Sequence, residues 1–261
     1  MSALTNWLVR LGLTLSYVSC FHLVDVEFDA DDTVLWGLSK YLPAAGAVIG
    51  VCLWICTFAL CTLVAPPLVA GAVVTALWFV FTSGLHLDGL MDAADGIFSH
   101  QSRLRMLEIM SDPRVGNFGV IIGVLLLITK FATITSIYIH ALFAVLLVIP
   151  AWARCAEVYA IGKFPYLKEQ GKGKVWHDST IFPADLIKSA LAPAAVTLVT
   201  CVWAKEHAVS LIVVSLITLA AGIAASHWLT GKLGGQTGDT YGATVELSEA
   251  AGLIAASMLM S

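Results

Sequence analysis

From residue 42 onward the sequence falls into apolar runs, near 42–64, 67–86, 116–137, 140–161, 186–204, 207–229 and 244–260. Most reach the roughly 20 helical residues that a bilayer crossing takes. Inside hydrocarbon every amide must find a partner within the protein, which leaves the helix as the natural spanning element here. The pattern predicts an all-α, polytopic membrane helical bundle of about seven transmembrane helices, with residues 1–261 forming a single integral-membrane domain. Composition agrees, with 59% hydrophobic and only 12% charged residues and a mean hydropathy of +0.87. A soluble domain of this length would need far more charge to cover its surface.

Ahead of the first run, Leu4, Trp7, Leu8, Leu11, Leu15 and Val18 recur at helical spacing, with Thr5, Asn6, Arg10 and Thr14 elsewhere around the helix. A secretory leader fits poorly, because the only basic residue, Arg10, lies inside the apolar region. The expectation is an N-terminal amphipathic helix lying in the interface. Five acids follow between Asp25 and Asp32, with no spacing that brings them to one face, so this segment reads as a solvated loop. The six cysteines form no CxxC pair and read as small apolar packing residues. In the middle pair of runs, Lys130 interrupts one and a break near His140 separates the two.

Charge orients the bundle. If residues 1–41 are cytoplasmic, then so are the loops at 87–115, 162–185 and 230–243. Those segments carry Arg10, Lys40, Arg103, Arg105, Arg114, Lys163, Lys168, Lys172, Lys174 and Lys232, with Lys188 just inside the next helix, whereas the opposite side holds only Lys205. That asymmetry follows the positive-inside rule. The expectation is a multi-pass protein of the cytoplasmic (inner) membrane whose polar loops, and any active site they build, share the cytoplasmic face. A transporter would instead bury charge midway along several spans.

The densest chemistry lies between Thr82 and Gly119. If that stretch begins as a helix, Asp88, Asp92 and Asp95 fall at i, i+4 and i+7 on one face. Gly89, Ala93 and Gly96 keep the neighbouring strip bare. Grouped carboxylates repel one another unless a cation joins them, and oxygen ligands suit Mg2+, with Mn2+ as the alternative. Asp88, Asp92 and Asp95 are therefore the expected metal ligands, and such a metal can neutralise the charge of a diphosphate. One of the acids can also accept a hydroxyl proton; the spacing does not select which. His86, at the mouth of the same helix, reads as a supporting partner or a ligand. In SDPRVGNFG (Ser111–Gly119), Pro113 ends any preceding helix. The next helix then starts with open amides beside Arg114, a natural phosphate seat.

Three further features attract attention. Arg154 lies inside a span, where a cation needs a partner; Glu157, three residues on, is the local candidate, and a substrate phosphate is the other. The loop that begins at Lys163, GKFPYLKEQGKGKVWHD, is basic and can cover an anionic substrate. In GGQTGDTYGATVELSE (Gly234–Glu249), Asp239, Glu246 and Glu249 share a helical face that runs from the loop into the membrane.

Taken together, these motifs resemble the cobalamin-5'-phosphate synthase family, also called adenosylcobinamide-GDP ribazoletransferase. GLHLDGLMDAADG is similar to its acidic motif, SDPRVGNFG to its S-R-x-G-x-x-G element with Pro113 where Ser is usual, and KFPYLKEQGKG to its F-P-Y-x-R-x-x-G-x-G with Lys168 in the Arg position. TGDTYGATVELSE resembles its ending, and YLPAAGAVIG (Tyr41–Gly50), more loosely, an early segment. The likeness covers nearly the whole chain in order. It implies transfer of the adenosylcobinamide-phosphate moiety of adenosylcobinamide-GDP to the 3'-hydroxyl of alpha-ribazole or its 5'-phosphate. GMP would be released and Mg2+ required, at a late step of vitamin B12 nucleotide loop assembly. By matching positions, His86, Asp88, Asp92, Asp95, Arg114, Gly116, Asp239 and Glu246 become site residues. Gly116, Arg114, Arg154, Lys163, Asp239 and Glu246 are the ones expected to meet substrate.

CDP-alcohol phosphotransferases are the rival class, but their D-G-x-x-A-R pattern meets Met91 and Asp92 here in place of Ala and Arg. Membrane prenyltransferases need N-D-x-x-D-x-x-x-D, which is absent. A divalent cation or metabolite transporter would need its acids at mid-membrane. The expected partners are the two substrates and the lipid bilayer, with no nucleic acid. Small-residue helix faces also suit a homo-oligomer.

Overall fold

A computed structural model describes residues 3–24 and 36–261. The acidic stretch from Asp25 to Asp32 lies outside the described residues. Among those described, the chain forms eleven α-helices: α1 (Ala3–Val18), α2 (Leu42–Thr62), α3 (Pro67–Phe81), α4 (Leu85–Phe98), α5 (Arg103–Ile109), α6 (Asn117–Ser136), α7 (Ile139–Lys163), α8 (Lys172–Ser179), α9 (Ala184–Trp203), α10 (Ala208–Leu233) and α11 (Gly238–Leu259). This is the expected all-α polytopic bundle, but with five or six spans in place of about seven. Helices α2, α6, α7, α9 and α10 are long and apolar enough to cross a membrane. The expected run 67–86 does not continue straight. It breaks after α3, where Ser83 and Gly84 take left-handed backbone angles (φ 51° and 66°), and α4 leaves at 86° to α3. Counted as one bent span, this pair makes a sixth.

The seventh run, 244–260, is the end of α11. Too polar to qualify as a span alone, α11 packs against α10, α4, α7 and α6, and most of its residues are buried. Its 22 residues give it a length of about 33 Å. The face that carries Glu246 and Glu249 is buried by these neighbours. Helix α7 is the other central element, packed by α2, α9, α10 and α11. Apolar residues of α2, α3, α7, α10 and α11, among them Leu53, Trp78, Leu146, Val214 and Leu253, fill the core toward the end of the bundle away from the polar loops.

Helix α1 lies against the opposite end. Its apolar face (Leu11, Leu15, Val18) packs with Leu42, Ile161, Trp176 and Tyr241, while Trp7 and Leu8 remain exposed, as an interfacial helix requires. The polar connections gather at this end and are tied together there. Arg103 donates to the carbonyls of Gly231 and Lys232 at the close of α10 (both 3.2 Å), where a cation also meets the negative end of the helix dipole.

Candidate active site

Two backbone contacts set the site. α4 crosses the start of α11 so closely that a side-chain carbon at Gly89 would meet the Asp239 backbone, and one at Gly242 would meet the backbone of His86, at 2.6–3.0 Å. Glycine at both positions lets the helices touch. This crossing brings the α4 acids beside Asp239, although about 150 residues separate them in sequence.

A second set of bonds fixes Asp239. The loop after α7 pairs with the turn before α11 through Leu167 N–H to Gln236 O (2.9 Å) and Gln236 N–H to Pro165 O (2.8 Å). The buried Gln236 amide anchors that turn by donating to Ser226 O and Thr230 Oγ1, both at 2.8 Å. Thr237 and Thr240 then cap α11 reciprocally, each side-chain hydroxyl accepting from the other's backbone amide. With loop and turn joined, Lys168 reaches Asp239 (3.0 Å). Position 168, where the family motif has Arg, thus places a cation on an acid of the site.

The three aspartates of α4 do share a face, as expected, but their surroundings differ. Asp88 is exposed, whereas Asp92 and Asp95 are half-buried. Asp95 accepts from the amides of Gly116 and Gly119, both at 2.8 Å, and so caps α6. Those are the amides that the sequence offers as a phosphate seat; they are used internally. Gly116 therefore serves Asp95. Asp92 has no such donors. Burial, followed by the charges of Asp88 and Asp239, pushes its carboxyl up to about 7, with Lys168 opposing and Asp95 adding to the rise. Among the described residues no three acids, histidines or cysteines converge as a preformed metal set. The expected trio of Asp88, Asp92 and Asp95 is thus not gathered around one point, because Asp95 turns toward α6.

Several other expected substrate residues are engaged elsewhere. Arg114 is exposed and pairs with Asp112 (2.8 Å), whose carboxyl it holds down to about 2. The exposed Lys163 lies 5.8 Å from the Phe182 ring centre. Arg154, fully buried, does not pair with Glu157 three residues on. It donates to Glu249 (2.9 Å) and to the Pro150 carbonyl (3.0 Å). Lys130, also buried, completes the set, 2.7 Å from Glu249 and 2.6 Å from Glu246. Two cations thus meet two carboxylates between α6, α7 and α11, and Glu246 belongs to this internal network. Arg154 further contacts His86 Nδ1 at 3.4 Å. A guanidinium only donates, so Nδ1 accepts and the ring hydrogen sits on Nε2.

His86 leads to the part of the site that motif reading did not find. A cavity of about 190 Å³ lies beside the crossing, bordered by His86 and Asp88 of α4, Glu157 of α7, Trp176 of α8, and Asp239 and Tyr241 of α11. Tyr17 of α1 also lines it. Trp176 and Tyr241 fall within the basic loop and the Gly234–Glu249 segment, but neither motif marks them or shows that they meet.

Comparison with known proteins agrees with this arrangement of motifs. The chain is similar to proteins described as adenosylcobinamide-GDP ribazoletransferase from three organisms. It is 38% identical to that of Thermosynechococcus vestitus over 85% of this chain and 86% of the relative. The figures are 39% for Synechococcus elongatus (82% and 84%) and 32% for Alkaliphilus oremlandii (91% and 93%). No solved structure matches it. The sequence model described as cobalamin-5-phosphate synthase matches residues 11–257, from α1 to the last turns of α11. The chain belongs to the cobalamin-5-phosphate synthase family.

Proposed function

We propose that this protein transfers the adenosylcobinamide-phosphate moiety of adenosylcobinamide-GDP to the 3'-hydroxyl of alpha-ribazole or its 5'-phosphate. The ribazole oxygen forms a new bond to the cobinamide-bound phosphorus, the anhydride bond to the second phosphorus breaks, and GMP leaves. The hydroxyl proton passes to a basic group of the site. Family membership supports the reaction, and one observation carries its assignment to this site: Asp92 is half-buried among Asp88, Asp239 and Asp95, with Lys168 as the opposing cation.

Such a surplus of negative charge suits a divalent cation. Mg2+ usually takes one or two carboxylates and completes its shell with water and substrate phosphate oxygens, so a preformed trio is unnecessary. Asp88 and Asp92 would hold it, with Asp239 alongside. When bound, the cation supplies charge neutralisation for the diphosphate. Asp95, committed to the α6 amides, fixes the end of α4 and thereby the direction in which Asp92 points. The network of Lys130, Glu246, Glu249 and Arg154 holds His86 and the upper turns of α11 in place. The gathering of basic loops on the site side supports a cytoplasmic-facing site in the inner membrane.

The test is direct. The purified protein in liposomes is given adenosylcobinamide-GDP, alpha-ribazole and Mg2+, and GMP release is followed. The expected result is release that depends on both substrates. Folded protein that yields no GMP with either form of ribazole would overturn the reading.

A further inference from the structure

Four side chains that line the cavity beside the acids each carry a polar atom with no hydrogen-bond partner among the described residues: His86 Nε2, Glu157 Oε2, Trp176 Nε1 and Tyr241 Oη. Each side chain is more than nine-tenths buried, with exposures of 2%, 7%, 3% and 4%. They come from four different helices (α4, α7, α8 and α11). One orphaned atom can be a packing accident, but four around one cavity are a built polar surface that a ligand can satisfy. The chemistry is mixed. Trp176 Nε1 donates, His86 Nε2 carries a hydrogen because Nδ1 faces Arg154, the Tyr241 hydroxyl does either, and Glu157 accepts. Flat rings surround these atoms: Tyr17 and Trp176 lie 5.3 Å apart between ring centres, and Tyr241 lies 6.0 Å from Tyr166.

We propose that this cavity seats the acceptor nucleoside, its aromatic base among Tyr17, Trp176 and Tyr241, with a ribose hydroxyl donating to Glu157 and the sugar directed toward Asp88 and Asp239. This rests on the transfer reaction proposed above. Size supports the assignment, since 190 Å³ admits an aromatic base and part of a sugar but not a corrin ring. Charge supports it as well. The lining includes the acids Asp88 and Asp239 and, among the described residues, no lysine or arginine, so a diphosphate meets no cation on its walls. Aromatic walls with a few convergent polar atoms are the usual setting for a nucleoside base. The donor's guanine nucleotide has related chemistry, and the experiment separates the two.

Full-length protein in liposomes is assayed with each substrate varied in turn, for wild type, Glu157→Gln, Trp176→Phe and Tyr241→Phe. Glu157→Gln and Tyr241→Phe keep side-chain shape and remove an acidic group and a hydroxyl, and Trp176→Phe removes the N–H together with part of the ring. Glu157→Gln and Trp176→Phe are each expected to raise the KM for alpha-ribazole about tenfold, as loss of one buried hydrogen bond does, while the KM for adenosylcobinamide-GDP stays within about twofold. Tyr241→Phe, the mildest change and the least disruptive to folding, should move the same KM in the same direction. An unchanged acceptor KM in all three overturns the assignment, and a rise in the donor KM alone would give the cavity to the guanine nucleotide and overturn it too. Calorimetric titration of alpha-ribazole without donor keeps this independent of the reaction. Tighter binding to wild type than to Glu157→Gln supports the seat even if no GMP is released, whereas turnover by wild type with equal binding to both removes the seat and leaves the reaction standing.

Discussion

Two groups of carboxylates in the bundle differ in what answers their charge. Deep between α6, α7 and α11, Glu246 and Glu249 face Lys130 and Arg154, so two negative charges meet two positive ones. Nearer the polar loops, Asp88, Asp92 and Asp239 crowd together, and among the described residues Lys168 opposes them. Both groups contain acids on helix faces beside small residues, so residue type and spacing do not separate them. Compensation does. The balanced group needs nothing from outside and holds helices together, whereas the unbalanced group keeps a surplus of negative charge that the proposed cation would answer.

The largest expected effect tests the unbalanced group. Asp92→Ala should lower kcat by about a thousandfold or more, the scale of losing a major electrostatic contribution to the transition state, while the protein still inserts and folds. Chelation of divalent cations should abolish GMP release from wild type, and added Mg2+ should restore it. Near-wild-type turnover by Asp92→Ala would show that the acidic crossing is not where charge is handled.

The balanced group should fail in another way. Lys130→Met leaves Glu246 and Glu249 buried together, and breaking a buried ion pair from one side costs about 3–5 kcal/mol. The variant should therefore lose thermal stability in detergent far more than Asp92→Ala does. Adding Glu249→Gln should recover part of the loss. If Lys130→Met is as stable as wild type yet inactive, the deep network belongs to the catalytic machinery and the contrast drawn above is wrong.

Asp95 lies between the two groups in character, with an acidic neighbourhood but two amide donors of its own. Asp95→Asn keeps one accepting oxygen and loses the other. A stability cost of about 1–2 kcal/mol follows from the weakened cap, with a smaller fall in activity than in Asp92→Ala. Equal loss of activity in the two variants would put Asp95 in direct contact with the metal or substrate.

The sequence carried much of this arrangement. Apolar runs of the right length predict the bundle, and the i, i+4, i+7 spacing predicts the shared face of α4, because both signals are local. Lys130 is a readable clue as well, since a cation inside an apolar run requires a partner and Glu246 and Glu249 interrupt the last apolar run. What stayed hidden depended on contacts between distant segments. Periodicity offers Arg154 only Glu157 on its own helix, but the partner is Glu249, 95 residues away. The amides at Gly116 and Gly119 look free until α4 turns at Ser83 and Gly84 and brings Asp95 onto them. Trp176 and Tyr241 lie in separate segments, and only the packing of α8 against α7 and α11 makes them walls of one cavity.

Arg114 gives the smallest expected effect and the finest test. Its side chain is 87% exposed and its guanidinium donates through Nε and Nη2 to Asp112. Solvent and salt screen such a pair heavily, and Arg114→Ala should leave thermal stability unchanged. Its effect on transfer separates two roles. If the phosphates are handled at the crossing of α4 and α11, the KM for adenosylcobinamide-GDP should rise by no more than about twofold, the scale of one screened surface charge. A tenfold rise would mean that Arg114 leaves Asp112 for the diphosphate when substrate binds. The unbalanced group would then extend beyond Asp239 and Lys168 to the loop before α6, and the phosphate seat suggested by that loop would be supplied by its side chain in place of its amides.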